Sequence, residues 1–154
     1  MKSDLPVTGG CACGKIRYEI KSQPLFMFLC HCRDCQRATG GLYAPNVWFS
    51  SETISLSEEP KAYEVVSDAG NNISHDYCAD CGSPIGMRTS NFPQGRGIRA
   101  ATLDDMGWLE PMANIYMKNS PKWEATNPDL HVFESQPADE FVMKMIQAQL
   151  DSTT

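Results

Sequence analysis

Cys30-His31-Cys32-Arg33-Asp34-Cys35 sets three thiols within one short run of chain, and the rest of the sequence is best read outward from it. Two further groups flank the run, Cys11-Ala12-Cys13 and Cys78-Ala79-Asp80-Cys81, and together the three groups hold all seven cysteines. A Cys-x-x-Cys spacing lets two thiolates from one tight turn reach a single tetrahedral zinc. Gly82, directly after the last pair, favours such a turn by tolerating positive φ. Cys-x-Cys can grip one metal when the backbone curls, and Gly9, Gly10 and Gly14 around Cys11 and Cys13 mark a turn there. Each group also has a plainer reading. Cys11 and Cys13 could be small core residues, Cys78 and Cys81 a redox pair, and Cys30 to Cys35 part of a purely structural site with a fourth ligand elsewhere. Three such groups in one short chain favour metal ligation over these taken singly.

Seven ligands divide as four plus three. In one partition Cys11, Cys13, Cys78 and Cys81 form a closed site, and Cys30, Cys32 and Cys35 hold a second metal. In the other, Cys32/Cys35 joins Cys78/Cys81 as a zinc ribbon and leaves Cys11, Cys13 and Cys30 over. Spacing alone leaves both open. The first is more economical, because a local triplet needs no distant partner, and it provides three protein ligands with one vacant position, the arrangement of a catalytic zinc.

Composition bounds the class. The chain has 154 residues, 42% hydrophobic and 21% charged, which fits one globular domain. A net charge of −6 argues against a broad nucleic-acid footprint. No apolar run approaches the roughly 20 residues that span a bilayer. MKSDLPVTGG lacks the apolar stretch of a secretory leader, so the expected location is cytoplasmic, where thiols stay reduced.

Short runs rich in Val, Ile, Tyr, Phe and Thr predict strands at 16–20, 25–30, 43–49, 54–56, 62–66, 73–77, 85–88, 97–103 and 114–118. A helical turn is expected from Asp34 to Ala38, ended by Gly40. A C-terminal helix is expected over about 138–150, with Phe141, Met145 and Leu150 on its apolar face, Val142 and Ile146 beside them, and Asp139 and Glu140 at its start. The expected architecture is mainly β with a short C-terminal helix.

At these residues the chain resembles the glutathione-dependent formaldehyde-activating enzyme (GFA) family, which also includes centromere protein V. The matching segments are GGCACGKIRYEI (Gly9 to Ile20), CHCRDCQRATG (Cys30 to Gly40) and YCADCGSPI (Tyr77 to Ile85), with a weaker echo in NIYMKNSPKW (Asn114 to Trp123). Many relatives carry His at the position of Asn114 and Pro at that of His131. The resemblance implies a single-domain β-tent of antiparallel sheets stapled by zinc, its core about 8–133 of a domain spanning 1–154. It implies a structural zinc on Cys11, Cys13, Cys78 and Cys81, a catalytic zinc on Cys30, Cys32 and Cys35, and thus two zinc ions per chain. It further implies a carbon–sulfur lyase that joins or cleaves glutathione, or a glutathione-like thiol, and a small aldehyde such as formaldehyde. A non-catalytic zinc-scaffolded thiol carrier or protein-interaction module is the alternative. No nucleic-acid or membrane partner is expected.

Three thiolates make zinc a weak Lewis acid toward water and a good holder of a further soft ligand. Arg33, Arg37, Arg88, Arg96 and Arg99 are candidate partners for glutathione's carboxylates. His31, between two proposed ligands, either assists the site or points away, and the second is favoured because neighbouring strand residues face opposite ways. His75 and His131 are expected at the surface or paired rather than as ligands. Trp48, Trp108 and Trp123 are expected in the core, and Met143 and Met145 in packing.

Overall fold

The computed structural model describes residues 1–153. Its elements are β1 (Val7–Gly10), β2 (Arg17–Ile20), β3 (Phe26–Cys30), α1 (Arg33–Thr39), β4 (Ala44–Ser50), β5 (Ile54–Leu56), β6 (Lys61–Val66), β7 (Asn72–Tyr77), β8 (Pro84–Thr89), β9 (Gly95–Arg99), β10 (Ala113–Ile115), β11 (His131–Val132) and α2 (Asp139–Thr153). β1, β2 and β5 form a small sheet. The others form a large one in the order β11-β10-β3-β4-β9-β8-β7-β6. Pairing is antiparallel except around β10, which runs parallel to both β3 and β11. Parallel neighbours need a long crossover, and the chain between β3 and β10 provides it.

Strand alternation gives the large sheet two different faces. Met27, Val47, Phe49 and Ile98 point to one side and pack with Val7, Tyr18 and Ile20 of the small sheet. Phe26, Phe28, Cys30 and Trp48 point to the other, where Ile115 and Ile146 of α2 join them. Pairing register strings one row of residues across this second face: Phe26, Trp48, Gly97, Met87, His75 and Tyr63. Gly97 keeps the row low in the middle. A Cβ there would meet Met87 Cγ at 2.9 Å and Trp48 Cε2 at 3.1 Å.

The nine expected strands are present, and β1 and β11 are additional. Two expected strands end early for local reasons. The run 97–103 stops at Arg99, whose carbonyl accepts from Thr102 Oγ1 at 2.8 Å, and a 3-10 turn follows over Ala100–Thr102. The run 114–118 stops at Ile115, because Tyr116 takes a left-handed conformation (φ 58°) and leads into a second 3-10 turn at Met117–Asn119. Trp123, expected in the core, is 75% exposed. It follows Pro121 in a turn outside both clusters. Trp48 is buried as expected, and Trp108 packs at the edge of the first core.

α2 buries Ile146 and, at its next turn, Gln149, while Leu150 is exposed instead of continuing the apolar face. The Gln149 amide is spent on Met1: its Oε1 accepts from the Met1 amine at 3.0 Å and its Nε2 donates to the Met1 carbonyl. Among the described residues no helix is long and apolar enough to cross a membrane.

Burial fixes the expected energetics. Phe49 is fully enclosed, so Phe49→Ala is expected to cost about 3–5 kcal/mol in urea denaturation, whereas Trp123→Ala is expected to cost less than about 0.5 kcal/mol.

Candidate metal centres

The turns that follow β1 and β7 meet each other. Cys11 and Cys13 lie in the β1–β2 connection, which closes through Gly14 N–H to the Cys11 carbonyl (3.1 Å). Cys78 and Cys81 lie in the β7–β8 connection, where Gly82, at φ 74°, donates to the Cys78 carbonyl (2.8 Å). No atom would obstruct a Cβ on Gly82, so its backbone angle, not space, requires glycine. Ala12 N–H donates to Ser83 Oγ across the two turns at 3.0 Å, and Lys15 pairs with Asp80 at 2.9 Å. The four sulfurs fall within 4.8 Å of one another. Cys11–Cys13 is 3.4 Å and Cys13–Cys78 is 3.8 Å. A tetrahedral site with bonds of about 2.3 Å needs sulfur–sulfur edges of roughly 3.8 Å, so the group fits such an ion.

The second group is local, as the first partition requires. Cys30 closes β3, Cys32 caps the N-terminus of α1, and Cys35 lies one turn on. Cys32 Sγ accepts the Cys35 N–H at 3.3 Å, the usual N-cap bond made with sulfur. The three sulfurs again lie within 4.8 Å, and no fourth His, Cys, Asp or Glu joins them among the described residues. Cys35 also receives Asn46 Nδ2 and Arg99 Nη1, each at 3.8 Å. Cys30 and Cys35 are buried, while Cys32 is partly open.

Charge explains what such groups ask for. Hydrogen bonds to Cys32 and Cys35, together with burial, push Cys30 well above its ordinary value. Cys32 is pushed up to about 12: its bond with Cys30 opposes this, but Cys35 and burial prevail. Cys35 is held well below the usual thiol range by hydrogen bonds from Cys30 and Cys32, with Arg99 adding to them. The three thiols thus oppose one another's ionisation, and a divalent cation would let three thiolates coexist. In the other group Cys81 is drawn down to about 5, chiefly by Ser83.

All three cysteines of the triplet line a cavity of about 640 Å³. Its floor includes Phe26, Trp48, Met87 and His75 of that row, and its cover is α2, through Val142, Met143 and Ile146. Of the five arginines considered from sequence, only Arg33 and Arg37 line it. Arg88 and Arg96 grip the buried Asp76 carboxylate at 2.9 and 2.7 Å. Arg99 is held by Cys35, Asn46 and His75 through its terminal nitrogens, while its Nε finds no partner among the described residues. His31 turns away from the sulfurs, with Nδ1 on the Leu29 carbonyl at 3.1 Å and Nε2 on Glu124 at 3.0 Å. His131 is exposed, edge-on to Phe141. His75 is buried and lines the cavity. Burial and the Arg99 charge lower its pKa, so it is neutral. Because arginine only donates, His75 Nδ1 accepts at 2.9 Å and the ring proton sits on Nε2, which has no partner among the described residues.

Sequence reasoning missed the cavity wall. The sequence places Trp48 in the core and gives Phe26 and Phe28 no role at a site. One signal was present: Phe26 and Phe28 share the alternation of Cys30 along β3 and so must face its side. Val142 and Ile146 gave only the helical period, which does not say what a helix covers.

Comparisons with known proteins agree with this architecture. A search of curated proteins finds no match. A crystal structure of a Rhodobacter sphaeroides protein, a structural genomics target, is similar at TM-score 0.51 and 18% identity, covering 82% of this chain and 98% of that one. At that identity the likeness speaks for the fold. The family described as glutathione-dependent formaldehyde-activating enzyme matches residues 6–119. That span holds every cysteine of both groups and most of the strands, and the chain belongs to this family.

Proposed function

We propose that this protein is a zinc-dependent carbon–sulfur lyase, joining or cleaving a glutathione-like thiol and a small aldehyde such as formaldehyde. The observation that carries the reading is the sulfur triplet: three donors gathered without a fourth, opening on a large cavity. Family membership supports the same reaction class. In this reading Cys11, Cys13, Cys78 and Cys81 hold a structural zinc and Cys30, Cys32 and Cys35 a catalytic one, within one zinc domain over 1–154 in the cytoplasm.

Zinc held by three thiolates supplies a soft site that stabilises a further thiolate near neutral pH. The chain does the rest. Asn46 and Arg99 direct N–H groups at Cys35 and offset the charge gathered on the sulfurs. Arg33 and Arg37, at the cavity mouth, suit the carboxylates of a glutathione-like thiol. The apolar wall excludes water and brings carbonyl carbon and sulfur together. In the joining direction the thiol gives up its proton and its sulfur bonds to the carbonyl carbon. The carbonyl π pair moves to oxygen, which takes up a proton. Cleavage reverses these steps, and no electrons are exchanged with another reagent.

Elemental analysis of purified protein is expected to give two zinc ions per chain. Cys32→Ser is expected to lose one of them, to keep the circular-dichroism spectrum of the fold, and to reduce adduct formation, followed by NMR with glutathione and formaldehyde, to its uncatalysed rate. Two retained ions with no acceleration of any thiol and aldehyde pair by the unmodified protein would instead support a scaffolded binding module. Cys81→Ser is expected to unfold the chain far more readily, because Cys81 belongs to the group joining the two sheets. Asn46→Ala is expected to weaken zinc at the triplet by roughly 10–100-fold in chelator competition. Since thiols must lose protons to bind zinc, affinity at both sites is expected to fall as pH falls.

A further inference from the structure

The cavity beside the triplet is far larger and more apolar than a one-carbon aldehyde needs. Formaldehyde is a single carbon and oxygen, little bigger than the ~30 Å³ share of a water molecule, against a cavity of about 640 Å³. The charged lining residues already have neighbours of opposite sign in part: Asp34 lies 3.9 Å from Arg37, and Asp68 3.1 Å from Lys118. The floor carries no charge. Phe26 sits at the centre of a ring cluster, 5.0 Å from Phe28, 5.6 Å from Trp48 and 5.8 Å from Phe92. All four rings line the cavity, with Ile146 of α2 above them.

Strand geometry places this cluster relative to the chemistry. Phe28 and Phe26 lie two and four residues before Cys30 on the same face of β3, hence roughly 7 and 13 Å from it. A substrate sulfur at the triplet bears two groups in the adduct, the body of the thiol and the carbon of the former aldehyde. A polar, carboxylated thiol body suits the mouth at Arg33 and Arg37. The substituent on the aldehyde carbon is then the group left to run along the rings.

Resting on the lyase reading, we propose that the aldehyde partner carries an apolar, ring-sized substituent that lies over Phe28, Phe26 and Trp48 beneath Ile146. The adduct formed is RS–CH(OH)–R′, where R′ is this substituent, and the balance of bonds and protons is that of the reaction above. Specificity then resides partly in α2, which lies beyond the residues that match the family. Members with a different C-terminal segment would select different aldehydes.

The test compares formaldehyde, 3-methylbutanal and benzaldehyde with glutathione on the zinc-loaded protein, each rate divided by its uncatalysed rate. Binding of benzyl alcohol, a non-reacting ring of the same size, is measured by calorimetry. The expected result is at least a tenfold greater enhancement for benzaldehyde or 3-methylbutanal than for formaldehyde, and saturable benzyl alcohol binding. Ile146→Glu and the cavity-filling Val142→Phe are each expected to reduce the benzaldehyde enhancement at least tenfold more than that of formaldehyde, and to abolish benzyl alcohol binding. The second variant buries no charge and so separates loss of the cavity from loss of the fold. Equal enhancement of all three aldehydes, enhancement of formaldehyde alone, or no benzyl alcohol binding overturns this inference and leaves the lyase reading standing. No enhancement with any aldehyde overturns both.

Discussion

Sulfurs gathered within 4.8 Å of one another would repel as thiolates, and a shared cation would turn that repulsion into a bond. Two places in this chain impose that condition, and the fold is arranged around them. The four-sulfur group lies where a hairpin turn of the small sheet meets one of the large sheet, beside their common core of Tyr18, Ile20, Val47, Phe49 and Ile98. The three-sulfur group sits where β3 passes into α1, on the opposite face of the large sheet. One sheet therefore separates a packed core, beside the four-sulfur group, from a cavity lined by the three-sulfur group.

The strand–helix junction explains why the triplet stays open. Cys30 takes its direction from strand alternation, Cys32 from its place as N-cap, and Cys35 from the first turn of α1. His31, between Cys30 and Cys32, is engaged by the Leu29 carbonyl and Glu124 instead of the sulfurs. Asn46 and Arg99 approach Cys35 from within the sheet, and Arg99 is in turn held by His75. The three sulfurs are thus braced from the protein side and left bare on the cavity side.

Much of this was legible in the sequence. Cysteine spacing left two partitions open, and economy together with the family resemblance favoured the one whose sulfurs the structure gathers. The strands were visible because β-branched and aromatic runs alternate with glycine-rich turns. Gly40 ended α1 as expected, in a left-handed cap. What failed depended on distant partners. Trp123 looked like core, but it stands exposed in a turn outside both core clusters. The runs 97–103 and 114–118 looked like continuous strands until Thr102 and Tyr116 redirected the backbone locally. The parallel placement of β10 and the service of α2 as a cavity cover arise from topology, which composition and period do not encode. Arg88, Arg96 and Arg99 could not be told from Arg33 and Arg37 by sequence, because their engagement by Asp76 and Cys35 is a tertiary fact.

The account depends most on the triplet's bare side accepting sulfur from a substrate. Cobalt replacement of zinc makes that event visible, because sulfur-to-cobalt charge-transfer absorption reports each thiolate bound. The account predicts that adding glutathione to the cobalt protein raises this absorption saturably and that Cys32→Ser abolishes the change. A spectrum that stays constant through saturating thiol would contradict it.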